Sequence, residues 1–138
     1  YIDNYIFSGA SAGAWNSLLM AYKGDTINFK NFIFDIDFEN VKSIFDLQLY
    51  LKKKLLEKFN YNDFDFKKVY IGVTVFENLK FKNYVFNDFE SLEDAVDCVI
   101  ASSNIPFITG KLAISSDFYT INKKKNGLQI INQENLLI

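Results

Sequence analysis

The stretch FSGASAGAWNS, residues 7–17, constrains the fold more than any other part of the chain. It gathers two glycines, three alanines and three serines, with Ser11 at the centre. Apolar YIDNYIFS precedes it and reads as a strand over residues 1–8 that runs into a corner at Gly9. After it, Trp15, Leu18, Leu19 and Tyr22 recur at helical spacing, which predicts a helix from Ala12 to Lys23 with Gly24 as its stop. A strand that turns within a few residues into a helix is the opening of an α/β layered fold.

Two explanations of Ser11 stand side by side. In the first it caps a helix and the small residues serve packing. In the second, Gly9-Ala10-Ser11-Ala12-Gly13 is a nucleophile elbow. Its glycines then permit the close approach and unusual φ/ψ that expose a serine at the bend. The free N–H of Ala12 and the positive end of the helix dipole would then meet a developing oxyanion.

The rest of the chain continues the alternation of strand and helix. Residues 25–42 mix aromatics with Asp35, Asp37 and Glu39 without a clean period, and read as a solvated loop or edge strand. These carboxylates lack the spacing and glycine of an EF-hand loop. Ser43 caps a second helix reaching about Phe59, with Ile44, Leu47, Leu51, Leu55 and Leu56 as its apolar stripe and Lys52 to Lys54 on a solvated face. Val69, Ile71, Val73 and Val75 alternate in a strand expected to be covered on both faces. A partner strand follows a turn near Glu77-Asn78. SLED at Ser91 opens a third helix that buries Leu92, Ala95, Val96, Val99 and Ile100, and Cys98 beside them reads as a small core or boundary residue. That helix ends near SSNIP, since Pro106 disfavours helix at Ile105. Short strands at about 117–121 and 128–131 flank NKKKNG.

Composition then narrows the chemistry. The chain of 138 residues has the length of about one domain, carries a net charge of −2 and lacks the basic surface of a nucleic-acid binder. No apolar run approaches the roughly 18 residues of a membrane span. It has no His and one Cys, and its fifteen basic residues are all Lys. A Ser-His-Asp triad, a His-ligated metal and a cysteine zinc cluster within these residues are thereby excluded. A hydrolytic serine here needs a carboxylate or a Lys as its base. The wealth of Phe, Tyr, Ile, Asn and Lys fits an AT-rich coding sequence better than a lipid-facing aromatic surface.

FSGASAGAW resembles the nucleophile elbow of the patatin-like phospholipases. DAVDCVIASSNIPFITG, residues 94–110, is similar to that family's helix ending in an Ala-Ser-x-x-Ile-Pro stretch, found in patatins and the adipose triglyceride lipase group. VYIGVTVFENLKFKNYVF matches the strand pair that precedes that helix, so the likeness spans roughly residues 5–110. The resemblance implies a three-layer α/β/α sandwich with a mixed, mostly parallel sheet, and lipid ester hydrolysis by a Ser-Asp dyad without a cofactor. By its pattern Ser11 is the nucleophile, Gly9, Ala12 and Gly13 shape the elbow and oxyanion site, and a carboxylate takes the Ser11 proton directly.

The chain departs from the pattern in two places. The family's Gly-rich oxyanion loop lies upstream of the elbow, and Tyr1 already falls within the expected strand. The expectation is therefore a single patatin-like domain over residues 1–138, incomplete at both ends. The dyad Asp belongs to an Asp-Gly-Gly or Asp-Gly-Ala motif, where NGLQIIN, residues 126–132, offers Asn126-Gly127 and a later Asn132. Asn-Gly is equally a hairpin turn beside the loop of Lys123 to Lys125, with the true Asp beyond Ile138. In a second reading Asn126 replaces the base and leaves a catalytically impaired module that binds lipid or a protein partner. In a third, Asp117, eleven residues past Pro106, is the base. The expected partner is a lipid ester at a membrane or lipid-droplet surface, met by a cytoplasmic protein, with no nucleic acid.

Overall fold

The computed structural model describes residues 4–103 and 131–132. Its centre is the strand β2, Val69–Glu77, where period-2 alternation turns Val69, Ile71, Val73 and Val75 into the core. Burying each such side chain contributes about 1.5–3 kcal/mol. Asn78 and Leu79, both at positive φ, then form a two-residue turn into β3, Lys80–Phe86, one residue later than the sequence suggests. Left-handed conformations at both positions match the twist of the flanking strands, and the register closes at Glu77 opposite Lys80. On the other face of β2, Tyr70 and Gly72 are half-buried and Thr74 is exposed, so burial is one-sided rather than complete on both faces as expected.

β1, Phe7–Ala10, lies parallel to β2 with Phe7 opposite Val69 and Ala10 opposite Gly72. It starts later than expected and runs through Gly9, while Tyr5 and Ile6 ahead of it are exposed. β4, Ile131–Asn132, pairs antiparallel with β3, which gives the order β1-β2-β3-β4. One pair is parallel and two are antiparallel, which corrects the expectation of a mostly parallel sheet. The reason is the tight turn at Asn78-Leu79, since a two-residue connection joins only antiparallel neighbours. The fold is thus mixed α/β. The expected strand at 117–121 and the Asn126-Gly127 turn lie outside the described residues.

Helices α1, Ala12–Met20, and α4, Leu92–Ser103, pack side by side against the β1–β2 pair. α4 buries Leu92, Ala95, Val96, Val99 and Ile100 as its periodicity requires, together with Cys98. Ser91 starts it by accepting from the Asp94 N–H, while the Asp94 carboxylate accepts from the Glu90 N–H. α1 stops at Ala21, short of Gly24, because the chain there turns to pair with a distant loop. The Asp65 N–H donates to the Ala21 carbonyl and the Lys23 N–H to the Asp63 carbonyl.

α3, Ile44–Lys58, begins at Ser43, whose Oγ accepts from the Asp46 N–H. Leu55 is its fully buried residue, joined by Gln48, whereas Ile44 in the first turn and Leu56 are exposed. The inward face is therefore narrower than the leucine stripe suggests, because α3 rests mainly on the edge of α4. Lys52 reaches across that contact to Asp97 at 2.7 Å and Glu93 at 3.0 Å. Burial disfavours the Lys52 charge, but the two carboxylates outweigh it and hold the ammonium above its ordinary value.

Residues 26–34 are the clearest departure from expectation. They form a helix, α2, Thr26–Phe34, capped by Asp25, whose carboxylate accepts from the Ile27 N–H. Tertiary packing of rings overrides a β-prone composition here. Phe29 and Phe32, one turn apart, dock on Phe59 at 6.0 and 5.2 Å between ring centres, and Tyr22 joins Phe29, Phe59 and Phe64. Asp35 caps the far end of α2, and the Asp37 carboxylate accepts from the Glu39 N–H in a local turn.

Candidate active site

Ser11 is the single residue between β1 and α1, and its backbone sits at φ 54° and ψ −127°. This left-handed φ is costly for a residue with a Cβ, by roughly 1–3 kcal/mol, and persists only where its surroundings enforce it. The enforcement begins at Gly9. A Cβ there would overlap the Gly13 backbone carbonyl and approach Ser17 Oγ at 2.6 Å, so only glycine lets the strand pass so close beneath the first turn of α1. Ser17 Oγ fills the remaining space by donating to the Gly13 carbonyl at 2.9 Å. A Cβ at Gly13 would meet nothing within 4 Å, so the space beside that residue is open.

The second constraint comes from α4. The Ser11 N–H donates to Ser102 Oγ at 2.8 Å, and Ser102 Oγ donates in turn to the Gly72 carbonyl at 2.5 Å. Ser103 Oγ donates to the Ser11 carbonyl at 2.9 Å, an acceptor shared with the Ala14 N–H. Both backbone polar groups of Ser11 are thus engaged, while its side chain is exposed and makes no helix-capping hydrogen bond. The capping explanation of Ser11 does not describe this geometry.

Ala12 and Gly13 occupy the first turn of α1, where N–H groups have no partner within the helix. No acidic residue lies in that turn, so the positive end of the dipole is left unneutralised by the helix's own side chains. Ser11, Ala12, Gly9 and Gly13 thus form an exposed hydroxyl beside helix N–H groups, on a glycine-supported bend. The arrangement can present an oxygen nucleophile and receive negative charge on an adjacent acceptor. Asp117 and Asn126 lie outside the described residues, and Asn132 is placed only by its backbone, opposite Tyr84.

The sequence pattern gives Ser102 and Ser103 no role of their own within ASSNIP. Two adjacent hydroxyls at a helix end carry no meaning until the fold brings them to the corner. Cys98 is fully buried, which settles its place as core rather than boundary. No family model matches the chain, and neither does any curated protein or solved structure.

Proposed function

We propose that the chain carries the nucleophile elbow of a patatin-like lipid acyl hydrolase, with Ser11 as its nucleophile. The observation that supports this most is the strained Ser11 backbone beneath a hydroxyl that caps nothing. In the proposed reaction Ser11 Oγ attacks the ester carbonyl carbon and its proton passes to a carboxylate, for which Asp117 is the candidate. The Ala12 N–H and the α1 dipole receive the oxyanion. Collapse of that intermediate breaks the ester bond, the alcohol leaves with a proton, and water then releases the fatty acid from the acyl-enzyme. A Ser-carboxylate dyad suits residues without a single His.

The substrate is a phospholipid or acylglycerol ester met at a membrane or lipid-droplet surface by a cytoplasmic protein. No helix among the described residues is long and apolar enough to cross a membrane. The test is fatty-acid release from phospholipid and triacylglycerol emulsions by the full-length protein and by Ser11→Ala. The proposal expects release by the first and background by the second. Equal release by both contradicts it. A folded protein inactive on every ester, with Asn126 beside Ser11, favours the lipid- or protein-binding module instead.

A further inference from the structure

Ala10 opposite Gly72 is the last rung of the parallel β1–β2 ladder. In a parallel ladder the slanted bond beyond such a pair runs from the next residue's N–H to the partner's carbonyl. Here that bond would join the Ser11 N–H to the Gly72 carbonyl. Instead the Ser102 hydroxyl stands between the two groups, accepting from Ser11 at 2.8 Å and donating to Gly72 at 2.5 Å. One oxygen atom has been spliced into the ladder, and β1 leaves the sheet at that point. Ser103, the next residue, holds the other end of the same residue through the Ser11 carbonyl.

We propose that Ser102 is a positioning residue for Ser11, assisted by Ser103. It sets the distance at which the elbow departs from β2 and keeps Ser11 in its left-handed conformation. It also occupies the Ser11 N–H, which leaves the N–H groups of Ala12 and Gly13 as the donors of the elbow to an oxyanion. The hydroxyl acts in both directions at once, so its one proton is committed to Gly72 and a lone pair to Ser11. Alanine supplies neither bond, and Gly72 would then lose its donor partner as Ser11 loses its acceptor partner. Threonine keeps both bonds. The inference rests on the nucleophile reading for its consequence in catalysis, but the clamp itself is independent of that chemistry.

Two readouts separate the clamp from the nucleophile. In the full-length protein, the rate at which a fluorophosphonate modifies Ser11 reports the reactivity of its hydroxyl. Hydrogen exchange at the Ser11 amide reports the clamp directly and needs no reaction. For Ser102→Ala we expect the labelling rate to fall about 100-fold, the scale on which a misplacement of about 1 Å acts. We also expect faster exchange at the Ser11 amide, with both recovered in Ser102→Thr. Ser103→Ala should lower the labelling rate less, because the Ser11 carbonyl keeps its bond from Ala14. If Ser102→Ala does not fold, Ser102→Cys preserves the shape and weakens both bonds, and the same losses are expected in smaller measure. Wild-type labelling and wild-type Ser11 exchange in the folded alanine or cysteine variant overturn the proposal. A wild-type protein that never labels at Ser11 sinks the nucleophile reading alone, and amide exchange then judges the clamp.

Discussion

Ser11 and Ser91 hold the same position, each immediately before a helix, and the structure uses them in opposite ways. Ser91 accepts from the Asp94 N–H with its side chain, as Ser43 does from Asp46 at the start of α3. Ser11 makes no such bond, and its backbone carries the left-handed φ instead. The residue two before Ser91 is the buried Phe89; the residue two before Ser11 is Gly9, where even a methyl group collides with backbone. At α4 and α3 the serine side chain satisfies the helix. At α1 the hydroxyls of a second helix satisfy the serine's backbone, and its own hydroxyl is left exposed. Strained backbone clusters at functional sites, which makes Ser11 rather than Ser91 the candidate among the described residues.

The largest difference between the two helix starts is expected at Gly9. Gly9→Ala should cost about 3 kcal/mol, because the new methyl meets the Gly13 backbone rather than a movable side chain. Chemical denaturation measures this, and a cost within a few tenths would show that the corner is loose. Next in size, Ser91→Ala should lose about 1 kcal/mol, the usual worth of an N-cap. Ser11→Ala should change stability by only a few tenths, since both residues carry a Cβ and no cap is lost. Equal costs at the two serines would make Ser11 an ordinary cap. Ser11→Gly should instead gain about 1 kcal/mol by releasing the strain at φ 54°.

A further modest effect concerns the α3–α4 contact. The Lys52 charge is favoured in the folded state, so its contribution is full below the ordinary lysine pKa and fades as pH rises past it. Lys52→Met should lose about 0.5–1 kcal/mol near neutrality, as its partners Glu93 and Asp97 are substantially exposed. The two stability curves should converge in strong alkali. A gap that persists there would assign the loss to packing of the side-chain stem rather than to the charge.

Much of this fold is legible in the sequence because its signals are local. The caps at Ser43 and Ser91, the alternation from Val69 to Val75 and the buried face of α4 each follow from short-range spacing. α2 is not legible, since its stability comes from two phenylalanines meeting Phe59 across the chain rather than from a broad apolar stripe. The sheet direction is lost where a resemblance to a mostly parallel family outweighs the antiparallel meaning of a short turn at Asn78-Leu79. At the candidate site, Gly9, Ser11, Ala12 and Gly13 stand out because a strand-to-helix corner is contiguous in sequence. Ser102 and Ser103 do not, because hydrogen bonds between residues 91 and 92 apart have no period to read.

A reactive Ser11 is open to covalent trapping. The full-length protein is treated with a fluorophosphonate, digested, and the adduct located by mass spectrometry on the peptide that contains Ser11 and ends at Lys23. The expected result is one adduct, on Ser11, absent from Ser11→Ala and absent from Ser43 and Ser91. A folded protein that takes up no label, or an adduct that persists unchanged in Ser11→Ala, would contradict the nucleophile reading.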